Sequence, residues 1–179
     1  MTEGALGKLG SGIGETSASI TLERQLPGPI EEVWKYLTEL KQLPRWLAGG
    51  TMDLRVGGAV NLDFDLIQCP GRENMHGTVV GVITELQPPF LLTYSWNEGG
   101  NTAADPGTDS IVTFQLTAMS PRETLLVLTH TRVRRRELHG IAAGWHVHLD
   151  VLASRLLELE PMHFEIAWTA IEQRYRKER

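Results

Sequence analysis

The sequence predicts an α+β fold, a curved antiparallel sheet wrapped around one long C-terminal helix. Two observations carry this. From His139 to Leu159, the residues Ile141, Trp145, His148 or Leu149, Leu152, Leu156 and Leu159 recur at steps of three and four, the period of a helix with one apolar face. At about 1.5 Å per residue, roughly 20 residues reach about 30 Å, the width of a small domain. Ahead of this stretch lie about six runs of strand character joined mostly by short turns, a pattern that favours an antiparallel meander. The helix needs a sheet to bury its stripe, and the sheet needs a cover. A curved sheet gripping a helix leaves a cavity between them unless large side chains fill it, and such a gap is a natural ligand site.

The elements follow in order. Residues 1–17 are rich in Gly and Ser and read as a flexible leader, so order is expected to begin near Ser19. Residues 18–160 form the domain and 161–179 a C-terminal helical extension. Ile20, Leu22 and Leu26 mark a first strand, stopped by Pro27-Gly28-Pro29. Pro29 suits the first turn of a helix whose buried face is Ile30, Val33, Trp34 and Leu37, with Glu31 and Glu32 at its positive end. A second helical piece carries Leu40, Leu43, Trp46 and Leu47; Pro44 opens or kinks it, and Gly49-Gly50 ends it. Trp34 and Trp46 are expected in the core between helices and sheet.

A period of two then takes over. Met52–Val56 reads as a short strand turned by Gly57-Gly58. Val60, Leu62, Phe64 and Leu66 alternate with Asn61, Asp63 and Asp65, a half-buried strand whose carboxylates face outward. Cys69-Pro70-Gly71 marks an exposed turn. From His76 to Leu86 the inward parity is ambiguous, because Val79, Val80, Val82 and Ile83 compete; Pro88-Pro89 closes the run. Leu92, Tyr94 and Trp96 share one face of the next strand, and a polar loop, NEGGNTAADPGTD, follows. Val112, Phe114 and Leu116, then Leu126, Leu128 and His130, line the inner faces of two more strands. After Pro161, Phe164, Trp168, Ile171 and Tyr175 recur at helical spacing. This last helix packs on its own domain, lids the pocket, or forms a homodimer contact.

Composition narrows the function. The chain has 179 residues and a net charge of -5, which gives no pull toward nucleic acid or anionic membrane. No apolar run approaches a membrane span. The single cysteine excludes an intramolecular disulfide, and the N-terminus lacks a secretory pattern, so a soluble cytoplasmic protein is expected. His146 and His148, two apart on a helix, point about 200° apart and cannot share a metal. His139 and His146 share a face, but no carboxylate or cysteine completes a site at recognised spacing. No metal and no cofactor is expected. Arg132, Arg134, Arg135 and Arg136 form a basic run, read as a solvated loop tied by Glu137 that could also steer anionic ligand groups.

The stretches VWKYLTELKQLPRWL, DLRVGG, GTVV, LQPPFLLTYSW, VTFQL, TLLVLTH and GWHVHLDVL, in this order, resemble the activator-of-heat-shock-protein-90-ATPase homologue family. That family belongs to the START-related helix-grip superfamily, with polyketide cyclases and birch-pollen-allergen-like proteins. The resemblance covers roughly residues 19–159 and implies a helix-grip fold with an apolar cavity, but no single activity.

Parity and the resemblance together place Phe64, Tyr94, Trp96, Phe114, Leu128, His130, Trp145 and Leu149 on the grip cavity. The leading expectation is non-catalytic binding of a hydrophobic small molecule, with the Tyr94 hydroxyl, the Trp145 indole N–H and His130 fixing its orientation. The alternatives are a cyclase-like or hydrolase-like enzyme using His130 and Tyr94, and a co-chaperone-like module acting on a chaperone ATPase. The second domain of the full-length eukaryotic activator has no counterpart in these residues.

Overall fold

Eight strands form a single antiparallel sheet in the computed structural model, which describes residues 5–11, 16–71, 76–98 and 110–177. The strands are β1 (Lys8–Ser11), β2 (Ser17–Pro27), β3 (Gly49–Met52), β4 (Ala59–Asp63), β5 (Thr78–Gln87), β6 (Leu91–Glu98), β7 (Ser110–Ser120) and β8 (Glu123–Arg134). Their order across the sheet is β1-β2-β8-β7-β6-β5-β4-β3. The helices are α1 (Ile30–Thr38), α2 (Leu138–Leu156) and α3 (Phe164–Lys177). This is the helix-grip architecture: a curved sheet, a long C-terminal helix and one extra helix.

Alternation explains the inner face. Leu92, Tyr94 and Trp96 of β6, Val112, Phe114 and Leu116 of β7, and Leu126, Leu128 and His130 of β8 are all buried. In β5 the competition among valines resolves toward Val79 and Ile83, while Val82 is 45% exposed. An irregularity in the β5–β6 register between Ile83 and Glu85 then shifts the phase and leaves Leu86 half-buried. Gly81 lies so close to β6 that an added Cβ would overlap the Ser95 carbonyl oxygen. We expect Gly81→Ala to cost about 2–3 kcal/mol in equilibrium denaturation, because backbone and not a flexible side chain must yield.

Three expectations about strands are corrected. The strand expected at Met52–Val56 runs instead over Gly49–Met52. The run expected to continue through Leu66 stops at Asp63, whose carboxylate accepts from the Asp65 N–H at 3.0 Å and caps a 3-10 turn over Phe64–Leu66. Order begins before Ser19: Lys8–Ser11 pairs with β2, and the Gly7 N–H donates to the Tyr175 hydroxyl at 2.7 Å. Cys69, expected at the surface, is buried. The polar loop after Trp96 lies almost wholly outside the described residues.

The long helix also differs from a one-sided stripe. α2 buries Trp145, Leu149 and Leu152, and also Ala143, His146 and Val147. It is covered twice, by the sheet on one flank and by α3 on another. Phe164 of α3 packs against His148 at a ring separation of 4.7 Å, Tyr175 meets His146 edge-on at 6.3 Å, and the Trp168 indole donates to the Gly140 carbonyl at 3.0 Å. α3 is thus packed on its own chain. α2 ends at Leu156, short of the expected Leu159, which is 50% exposed. Glu158 stops it with a left-handed backbone, φ 56°. Among the described residues no helix is long and apolar enough to cross a membrane.

Candidate functional site

The space between α2 and the β4–β6 half of the sheet is a cavity of about 410 Å³. Its apolar wall is Leu47, Phe64, Val79, Trp96, Ile141 and Trp145; His76, Thr78, Glu98 and His148 add polar groups. Each wall residue has a local cause. The 3-10 turn after β4 swings Phe64 toward Trp96, ring centroids 6.0 Å apart. Trp96 in turn sits 5.1 Å from Trp145 on α2. Gly144, one position before Trp145, borders the same space, and a Cβ added there would meet nothing within 4 Å. The helix therefore carries a gap where other residues would place a side chain.

Behind the wall runs a hydrogen-bonded chain. The Trp145 indole N–H donates to His130 Nδ1 at 2.9 Å. Indole can only donate, so Nδ1 accepts and the neutral imidazole carries its proton on Nε2. His130 Nε2 lies 2.9 Å from Ser110 Oγ, and Ser110 Oγ donates to the Trp96 carbonyl at 2.8 Å. Every proton in the chain is assigned and both imidazole nitrogens are engaged. Burial lowers the His130 pKa to about 3. The chain holds Trp145, His130 and Trp96 in fixed relative positions rather than presenting a base.

His148, one turn further along α2 from Trp145, is oriented by a backbone contact. Its Nδ1 lies 2.6 Å from the Trp46 carbonyl, which can only accept, so that nitrogen carries the proton. Trp46 is itself pinned by its indole N–H, which donates to the Tyr36 carbonyl at 2.8 Å, and by edge contact with Phe114. At the mouth His76 Nδ1 pairs with Asp65 Oδ1 at 2.9 Å, both exposed. Glu98 accepts from the Trp96 indole at 3.3 Å.

The expected site residues divide. Phe64, Trp96 and Trp145 stand on the cavity wall. His130 stands behind it and borders a second, more polar cavity of about 270 Å³. Tyr94 and Phe114 form a layer behind the wall, Tyr94 stacked on both Trp96 and Phe114 at about 6 Å. Burial pushes the Tyr94 phenol well above its ordinary range. Leu128 and Leu149 are wholly buried core. Missed were Glu98, His148, His76 and Gly144. Glu98 shares the parity of Leu92, Tyr94 and Trp96 and was open to that argument. His76 was not, because only the turn at Phe64–Leu66 brings Asp65 to it.

Other groups stay apart from the cavity. His146 meets Tyr175 and His148 meets Phe164, at opposite ends of α3, and among the described residues no three His, Cys, Asp or Glu side chains come together as metal ligands. Arg134 and Arg136 both reach Glu137, at 3.6 and 3.2 Å.

Comparison with known proteins places this geometry. The family described as Activator of Hsp90 ATPase homolog 1-like protein matches over residues 27–157. CalU16 from Micromonospora echinospora, a crystal structure, is 25% identical over 95% of this chain and 94% of its own, with a TM-score of 0.69. A Bordetella parapertussis protein solved in solution is 32% identical over 100% of this chain and 96% of its own, with a TM-score of 0.70. A Mesorhizobium loti protein is 27% identical over 78% of this chain and 96% of its own, with a TM-score of 0.62. No curated protein matches this chain.

Proposed function

The chain belongs to the Activator of Hsp90 ATPase homolog 1-like family, and on that premise we propose that it binds a hydrophobic small molecule between sheet and α2 without bond-making chemistry. One observation carries the reading. The 410 Å³ space is walled by aromatic and aliphatic side chains and bordered by a glycine that leaves it open. That volume lies in the range of small-molecule sites, about 300 to 1,000 Å³. Burial of apolar ligand surface supplies the affinity, at about 25 cal/mol per Å² before the costs of association.

Gly144→Leu tests this. Leucine is a good helix former and glycine a poor one, so the change favours α2 by up to about 1 kcal/mol. The new side chain grows into the open space. We expect the thermal midpoint to hold or rise, while binding of the neutral fluorophore N-phenyl-1-naphthylamine is lost. Wild-type protein that ignores the fluorophore, or Gly144→Leu that binds it equally well, overturns the reading.

An enzyme using His130 and Tyr94 has less support. Both nitrogens of His130 are engaged and Tyr94 lies behind the wall rather than on it. Action on a chaperone ATPase rests on the family's description alone, and stimulation of an Hsp90 ATPase by this chain would favour it.

A further inference from the structure

The second cavity, about 270 Å³, shares Trp96, Glu98 and Ile141 with the first. These residues border both spaces, and the remaining walls differ in kind. The first is mainly apolar; the second carries Ser110, His130, Arg132, Arg134 and Glu137. We infer that the pocket takes an amphipathic ligand, its apolar body in the first cavity and a carboxylate or similar anionic group in the second, held by Arg132. This rests on the binding reading above and names the ligand class for that site.

The charges on the second wall decide the sign. Arg134 is paired with Glu137, which also receives Arg136. His130 is neutral, with both nitrogens bonded. Glu98 accepts from the Trp96 indole. The Arg132 side chain forms no ion pair or hydrogen bond with any described residue. Among the described residues it is the cation on this wall left to meet a ligand, and a guanidinium matches a carboxylate in shape and charge.

The backbone at Arg132 is also unusual. Register between β2 and β8 moves from Ala18 opposite Val133 to Ile20 opposite His130, one extra residue on β8. At this bulge Arg132 has φ 58°, a left-handed conformation that an arginine adopts at a cost. The bulge gives the next core position to Val133, which is 1% exposed, and leaves Arg132 at the cavity. Bulges commonly re-aim a side chain beside a site. Glu98, on the shared wall, opposes an anion and sets a limit on its affinity.

Two probes with one skeleton test the inference: N-phenyl-1-naphthylamine, neutral, and 1-anilinonaphthalene-8-sulfonate, which adds an anionic group. The variants are Arg132→Asn, because asparagine tolerates the left-handed backbone, and Arg132→Lys, which keeps the charge. We expect Arg132→Asn to weaken the sulfonate about five- to tenfold and to leave the neutral probe within about twofold. Arg132→Lys keeps part of the loss back, and Glu98→Gln tightens the sulfonate about twofold to threefold. Gly144→Leu removes both probes. If Arg132→Asn changes both probes alike, or neither, or if the two do not compete, the anionic subsite falls while the apolar pocket stands. If the neutral probe does not bind wild-type protein, the pocket itself falls, and the subsite with it.

Discussion

Trp145→Ala will lower the unfolding free energy by about 4 kcal/mol, within the about 3–5 kcal/mol that aromatic truncations in cores cost. The ring is 3% exposed and sits among Trp96, Phe114, His130 and His148, with centroids 5.1 to 6.2 Å away. Removing it joins the new void to the existing cavity, so the surroundings gain little by collapse. It also removes the N–H that His130 Nδ1 accepts. A buried acceptor left without a donor adds about 1–3 kcal/mol unless water reaches it. Because one flank borders open space, water entry offsets part of that sum. Trp145→Phe loses the donor and part of the ring while keeping an aromatic in place, for a smaller expected cost of about 2–3 kcal/mol. Urea denaturation measures both. A cost below about 1.5 kcal/mol for Trp145→Ala would mean that the ring lines an open pocket without serving as core.

Parts of this architecture were legible because periodicity is local. The inward faces of β6, β7 and β8 follow from strict alternation, and the turns that bound them contain Gly and Pro. What alternation cannot see is a change of phase. The bulge at Arg132 moves Val133 inward, the irregularity after Ile83 does the same for Leu86, and no residue type announces either. The Phe64 turn is set by a carboxylate capping a backbone N–H, which a pattern of apolar letters reads as continued strand. The end of α2 at Glu158 uses a left-handed residue that is not glycine.

The site was less legible than the fold, and for a physical reason. Parity states that Tyr94, Phe114, Leu128 and Leu149 point inward, but not how deep they lie. Depth depends on what comes from the opposite side. Trp46, carried in by the turn after α1, meets Phe114, and Trp96 covers Tyr94. The open space falls where α2 presents Gly144, a vacancy that only the packed chain reveals. The hydrogen-bonded chain through His130 likewise joins residues from β6, β7, β8 and α2.

Acid will unfold the protein through two histidines that are buried and neutral. Burial lowers His130 to about 3, and the groups in direct contact with its ring, the Trp145 indole, Ser110 and the Trp96 ring, are neutral. Burial also lowers His146 to about 3, with help from the nearby Arg24 and Arg174 guanidinium groups. An unfolded histidine titrates near 6.5. Between about pH 6.5 and 3 the unfolded chain therefore binds more protons than the folded one, and stability falls as pH falls. The slope approaches about 1.4 kcal/mol per pH unit for each histidine, so across that window the two together remove at most about 9 kcal/mol, comparable to the roughly 5–15 kcal/mol stability of a typical domain. Asp150 works the other way. It lies 3.5 Å from His146 and 3.4 Å from Arg24, and burial raises its pKa although Arg24 opposes the rise. A carboxyl raised in the folded state takes up its proton there first, which favours folding as pH falls and softens the low end of the profile. Denaturation at steps from pH 7 to 4 should show a steep loss in the wild type. His130→Asn should be less stable at pH 7 yet lose less on acidification, its slope reduced by one group, and His146→Asn should behave alike. A flat wild-type profile would mean that these rings accept protons in the folded protein, and that the proton assignments along the Trp145–His130–Ser110 chain are wrong.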